Sequence, residues 1–154
     1  MAAADGPDDR IVVGVDGSPP SYAALRWAMG QARLTDSLVE ALIGWDYPVA
    51  GGWPALQLAD HLENAFGRTL AAAVERVAVD VPGARIRQTV VDQYAARALL
   101  AAAQGAQLLV VGNRGHGGFT EALLGSVSQH CVHLSPCPVV VVRGTSSVPD
   151  PDRQ

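Results

Sequence analysis

The sequence predicts an α/β domain built on a parallel sheet, and three observations predict it. Short apolar runs rich in Val and Ile alternate with longer stretches whose apolar residues recur at helical spacing. The alternation holds along the whole chain, and a helix that crosses back over a sheet makes consecutive strands parallel. The chain has 154 residues, 49% of them apolar, enough to bury one core and too few for a second domain.

Residues 1–9 hold Gly, Pro and three Asp and have little to bury. They read as a flexible tail, without the basic patch and apolar core of a signal peptide. Residues 10–15, with Ile11, Val12, Val13 and Val15, form the first strand. Asp16, Gly17, Ser18, Pro19 and Pro20 break it. Ser18 serves as N-cap, with Pro19 at the first position of a helix whose stripe is Leu25, Ala28, Met29 and Ala32. Residues 37–45 are the second strand, and residues 46–54, with two Pro and two Gly, are a loop. Leu62, Phe66, Leu70, Ala73 and Val77 mark a long helix that Pro82 and Gly83 close. Residues 85–91 alternate in polarity and form the third strand. Ala95, Ala98, Leu99 and Ala102 stripe a third helix, ended by Gly105. Residues 107–111 are a fourth strand, apolar enough to be buried on both faces. Leu123, Val127 and Cys131 mark a fourth helix, and residues 138–142 are the fifth strand. Residues 144–154, rich in Ser, Pro and Asp, make a second flexible tail, so the domain runs over residues 10–143.

Composition excludes several functions. There is no Lys, and all 11 basic residues are Arg, so a Walker-type phosphate loop is ruled out. A net charge of -4 gives nucleic acid and anionic membranes nothing to attract. No apolar run approaches the ~18 residues of a membrane span. Cys131 and Cys137 form no CxxC pair and sit among apolar residues, which points to reduced thiols and the cytoplasm.

The segment after the fourth strand carries the chemistry. Gly112, Gly115 and Gly125 lie in a loop whose bare backbone suits phosphate oxygens, because glycine permits positive φ and close approach of a ligand. Glycine costs about 1 kcal/mol inside a helix, so Gly125 and Ser126 are placed at the helix start. The amides of Ser126, Val127 and Ser128 then form an anion site, to which Arg114 adds positive charge. His116, inside the loop, reads as a solvent-exposed histidine with a terminal phosphate within its scope. His130, Cys131 and His133 do not make a zinc site, since Cys131 falls on the buried stripe and a further ligand is missing. Trp27, Trp45 and Trp53 read as packing or interface residues.

The spacing Gly112-x2-Gly115-x9-Gly125-Ser126 resembles the nucleotide signature of the universal stress protein family, in its ATP-binding branch. The opening Val13-Gly14-Val15-Asp16-Gly17-Ser18 and the closing Ser135-Pro136-Cys137-Pro138 run match as well, so the likeness spans residues 10–143. It implies a Rossmann-like open five-stranded parallel sheet in the order 3-2-1-4-5, with helices on both faces. It implies ATP and Mg2+ as ligands. Asp16 would lie near the ribose and the metal, with Gly17 and Ser18 completing that turn. Gly112 would approach the ribose, and Gly115, Gly125, Ser126 and Val127 would hold phosphates. Backbone at Ile43 and Gly44 would meet the adenine edge. An Asp after a strand also caps the next turn, and both roles hold together for Asp16. Where the family often has Gly-x-Pro after the third strand, this chain has Asp92-Gln93-Tyr94, which alters the rim of the adenine pocket. Gln107 stands where many members have Asp.

The resemblance implies a nucleotide-dependent regulator of stress response or dormancy with slow or no hydrolysis, rather than an enzyme. The alternatives are a slow ATPase or nucleotidyl-transfer enzyme in the same pocket, and an interaction module that needs no nucleotide. Val139–Val142 is an apolar run that the implied order puts at a sheet edge, where it invites a homodimer.

Overall fold

The computed structural model describes residues 9–45, 53–114 and 124–144. Five strands, β1 (Arg10–Gly14), β2 (Leu38–Trp45), β3 (Arg85–Asp92), β4 (Leu108–Gly112) and β5 (Val139–Val142), alternate with four helices. These are α1 (Pro19–Thr35), α2 (Trp53–Asp80), α3 (Ala95–Ala102) and α4 (Ser126–Leu134). The strands form one sheet in the order β3-β2-β1-β4-β5, and every neighbouring pair is parallel. This is the Rossmann-like arrangement expected above, in the expected order.

Helices cover both faces because strand side chains alternate. Ile11, Val13 and Val15 pack under α1 and α2 with Leu25, Met29, Leu70 and Val77. Val12, between them, points the other way and packs under α3 and α4 with Leu99, Leu109 and Cys131. Ile11, Val12 and Val13 are fully buried, and burying each such side chain stabilises the fold by about 1.5–3 kcal/mol. Burial pushes the Cys131 thiol up to about 11, so it stays protonated and inert at neutral pH.

Helix ends follow local chemistry. Ser18 caps α1, its side chain accepting from the Ser21 N–H, and proline occupies the first turn. Asp36 ends α1 in the left-handed conformation, and Gly83 (φ 89) and Gly105 (φ 74) make the turns into β3 and β4. Arg10 donates to Glu40 at 3.0 Å and to the carbonyls of Ala102 at 2.8 Å and Gln104 at 3.1 Å. Arg87 donates to the same buried carboxylate. This cluster holds the C-terminal end of α3 against the sheet. Packing continues past residue 143: the Gly144 N–H donates to Asn113 Oδ1 at 3.2 Å. No helix among the described residues is long and apolar enough to cross a membrane.

Candidate functional site

Strand order reverses between β1 and β4, whose carboxyl ends lie side by side. In such sheets the two crossovers leave in opposite directions there, and a crevice opens. Here it is a cavity of about 510 Å³. Its floor is the strand ends at Gly14, Val15, Leu42, Gly44, Val111 and Gly112. Ala95 and Leu99 of α3 form one wall. Residues 124–129 form the facing wall, and Asp16, Ser21 and Arg114 complete the lining.

The wall at α4 is a set of hydrogen-bond donors. Gly125 is the N-cap and offers no side chain to the first turn. The Gln129 N–H donates to Gly125 O at 2.9 Å, the first bond of the helix. The N–H groups of Ser126, Val127 and Ser128 precede it and have no carbonyl four residues back within the helix. All three residues line the cavity, with the positive end of the helix dipole behind them. The start of the helix is moored at two points. The Gly125 N–H donates to Asn113 O at 2.9 Å, and the buried Ser128 hydroxyl donates to Gly112 O at 2.5 Å. The Ser128 side chain therefore positions the helix, and the residue also lines the cavity.

Asp16 both shapes its turn and lines the cavity. Its Oδ1 accepts from the Ser18 N–H at 2.9 Å and from the Ser18 hydroxyl at 2.5 Å. Gly17 makes the turn with φ 82. Gly17 and Ser18 are absent from the lining, and Ser18 is buried by its capping role. Gly44 reaches the floor, whereas the Ile43 side chain is turned into the core under α1 and α2. Gly115 and His116 lie outside the described residues.

Two glycines of the lining, Gly112 and Gly44, sit where a helix start presses on a strand end. Among the described residues neither Gly112 nor Gly125 has positive φ. A Cβ on Gly112 would lie 2.8 Å from the carbonyl carbon of Pro20, so the close approach is that of α1 to β4. A Cβ on Gly44 would lie 2.8 Å from Ala95 Cα and 3.0 Å from Gln93 O. Each glycine lets a helix start sit directly on a strand end, which opens the space above.

Sequence reasoning missed the apolar wall and Asn113. Leu42 and Leu99 read as ordinary core positions, and only the neighbouring of β2, β1 and α3 shows that they also face the cavity. Asn113 is a polar residue directly after a buried strand, which was the available signal. The resulting lining is mixed in character. It includes the residues of the helix start and Arg114, suited to an anion, and the side chains of Leu42, Ala95 and Leu99, suited to a flat apolar group. Among the described residues no three His, Cys, Asp or Glu side chains gather as a metal site.

The universal stress protein family matches residues 9–143. The chain is 38% identical over 143 residues to a universal stress protein of Mycolicibacterium smegmatis, across 87% of this chain and 48% of that protein. It thus spans about half the length of the curated relatives it matches. Universal stress protein UspA from Lactobacillus plantarum superposes with a TM-score of 0.71 at 25% identity, over 87% of this chain and 97% of that one. A universal stress protein solved in complex with cAMP superposes with a TM-score of 0.65 at 26% identity, over 87% and 95% of the two chains.

Proposed function

The chain belongs to the universal stress protein family, and from that premise we propose that its cavity binds an adenine nucleotide, ATP carried with Mg2+, to regulate a stress or dormancy response. The observation that carries this reading is the mixed lining of the cavity: the three residues of a helix start and Arg114 together with the apolar Leu42, Ala95 and Leu99. That layout fits a ligand with a phosphate tail and a flat base. The complex of a related universal stress protein with cAMP supports the ligand class.

Ser126, Val127 and Ser128 hold phosphate oxygens through their N–H groups, and Arg114 balances their charge. Gly125, Gly112 and Gly44 keep the backbone close, with Ile43 contributing only its main chain at the adenine edge. Gly115 and His116 extend the phosphate loop, and Asp16, with Gly17 and Ser18 shaping its turn, faces the ribose. Mg2+ is held by one or two carboxylates together with phosphates, and the single Asp16 carboxylate in the lining fits an ion that arrives on the nucleotide. Bound there, the ion neutralises phosphate charge. Hydrolysis is slow or absent, and the nucleotide acts by biasing conformation or partner choice. The working unit is the domain over residues 10–143, paired as a homodimer through β5. The free thiols Cys131 and Cys137 support a cytoplasmic location.

Calorimetric titration with Mg·ATP tests the site. Ser126→Glu puts a carboxylate at the helix start, which stabilises α4 through the dipole but opposes phosphate. The wild type is expected to bind at micromolar concentration. The variant is expected to lose at least about tenfold in affinity, roughly 1.4 kcal/mol, with no loss of thermal stability. A wild type that binds no adenine nucleotide overturns the reading and leaves an interaction module.

A further inference from the structure

Helix α1 is apolar on two opposite faces, and the fold covers one of them. Leu25, Ala28, Met29 and Ala32 are buried against the sheet. A second stripe, Ala23, Trp27, Gly30 and Leu34, runs along the outer face at alternating spacings of four and three residues. Trp27 is 37% exposed and Leu34 83%. Such spacing is the seam by which one helix packs along another, and a helix apolar all round is one that its surroundings bury. Gly30 has no role within the chain. It stands in the interior of a 17-residue helix, where only proline is a poorer helix former than glycine. Its φ is not positive, and a Cβ there would meet nothing within 4 Å. The missing side chain opens a groove between Trp27 and Leu34, lined also by Arg26, Gln31 and Arg33.

We propose that this groove receives a second copy of the chain, the two α1 helices lying side by side and parallel about a two-fold axis. The proposal is independent of the nucleotide reading and of pairing through β5. A two-fold contact must be self-complementary, and this face is so in shape and in charge. Helical side chains lean toward the N-terminal end of their helix. In a parallel pair the bulky Trp27 and Leu34 of one copy therefore meet the small Ala23 and Gly30 positions of the other. Arg26 and Arg33 lie on the flank toward α2, where Arg26 donates to Asp80 at 3.0 Å. Helical rotation puts Gln31 on the opposite flank. Parallel helices set each arginine flank against the partner's Gln31, whereas antiparallel helices would set Arg26 against the partner's Arg33. The contact is one helix on one helix, smaller than a standard interface, and so it is weak. It forms toward millimolar concentration, above the micromolar range in which pairing through β5 is read.

The test is sedimentation equilibrium of the full-length Val141→Pro chain from micromolar toward millimolar concentration, alone and combined with Gly30→Gln or Gln31→Glu. Thermal unfolding checks that each variant is folded. The Val141→Pro chain is expected to be a monomer at micromolar concentration and to dimerise toward millimolar. Gly30→Gln fills the groove and weakens that dimer at least about tenfold, while its thermal midpoint holds or rises, since glutamine is the better helix former. Gln31→Glu faces the partner's arginines and strengthens the dimer about threefold at low salt. A Val141→Pro chain that stays monomeric throughout overturns a second copy as the occupant. A dimer that survives Gly30→Gln unchanged overturns the groove as its seat, and one that Gln31→Glu weakens overturns the parallel arrangement. The result holds whether or not β5 pairs in the wild type.

Discussion

Gly44 shows how a single hydrogen atom in place of a side chain shapes the cavity. It sits in β2 with the backbone of Gln93 and Ala95 pressed against its α-carbon. Neither of those groups is the far end of a flexible side chain, so a methyl group has nowhere to go. Gly44→Ala is expected to destabilise the protein by about 1–3 kcal/mol, the usual cost of overpacking, and to lift α3 from the sheet. Urea unfolding measures it, and a change under about 0.5 kcal/mol, as at an unconstrained surface site, would show that α3 is not seated this way. Gly14 differs: its nearest obstacle is the flexible Leu99 side chain, which can give. Sequence alone marked Gly44 and Gly112 as important residues but did not show that α1 presses on Gly112. Loop glycines suggest ligand approach, and the helix that actually approaches Gly112 is remote in sequence.

At the scale of elements, strands and helices were legible because periodicity and capping are local. Ser18 with Pro19, Gly105, and Gly125 with Ser126 each mark a boundary within a few residues of where the chain turns. The alternation of Ile11, Val12 and Val13 between two cores was legible in the same way. Strand order was not, since periodicity gives each strand its faces and says nothing of its neighbours; the order came from the family resemblance. The apolar wall of the site was hidden for that reason, because Leu42 and Leu99 meet only once β2 lies beside β1 with α3 above. β5 is the element whose environment is still open to test. Among the described residues it pairs with β4 on one side only. The carbonyls of Pro138 and Val142 accept from β4 and its exit, so in a parallel ladder the intervening Val139 and Val141 direct their main-chain groups outward. Val141→Pro removes an outward N–H without breaking the ladder to β4. It is expected to convert a dimer into a folded monomer, read by sedimentation equilibrium. A wild type that is monomeric at every concentration would contradict pairing through β5.

Across the whole molecule, the parallel sheet gathers the carboxyl ends of all five strands and the starts of the helices at one end, so the donors belong to one rim by construction. That rim is tied to the sheet edge through Asn113. Its N–H donates to Val142 O at 2.9 Å, its side chain accepts from Gly144, and its carbonyl accepts from Gly125, the cap of α4. The start of α4 and the edge strand thus share one residue, a short physical link between the cavity and the sheet edge. The most direct measurement is an amide-resolved NMR titration of the labelled chain with Mg·ATP. The expected result is that the N–H signals of Ser126, Val127 and Ser128 move first and furthest, with Gly44, Asn113 and Arg114 following, while Asp36, Gly83 and Gly105 at the opposite end stay still. Unmoved signals at Ser126, Val127 and Ser128, or shifts gathered at the opposite end, would contradict a nucleotide site at the start of α4.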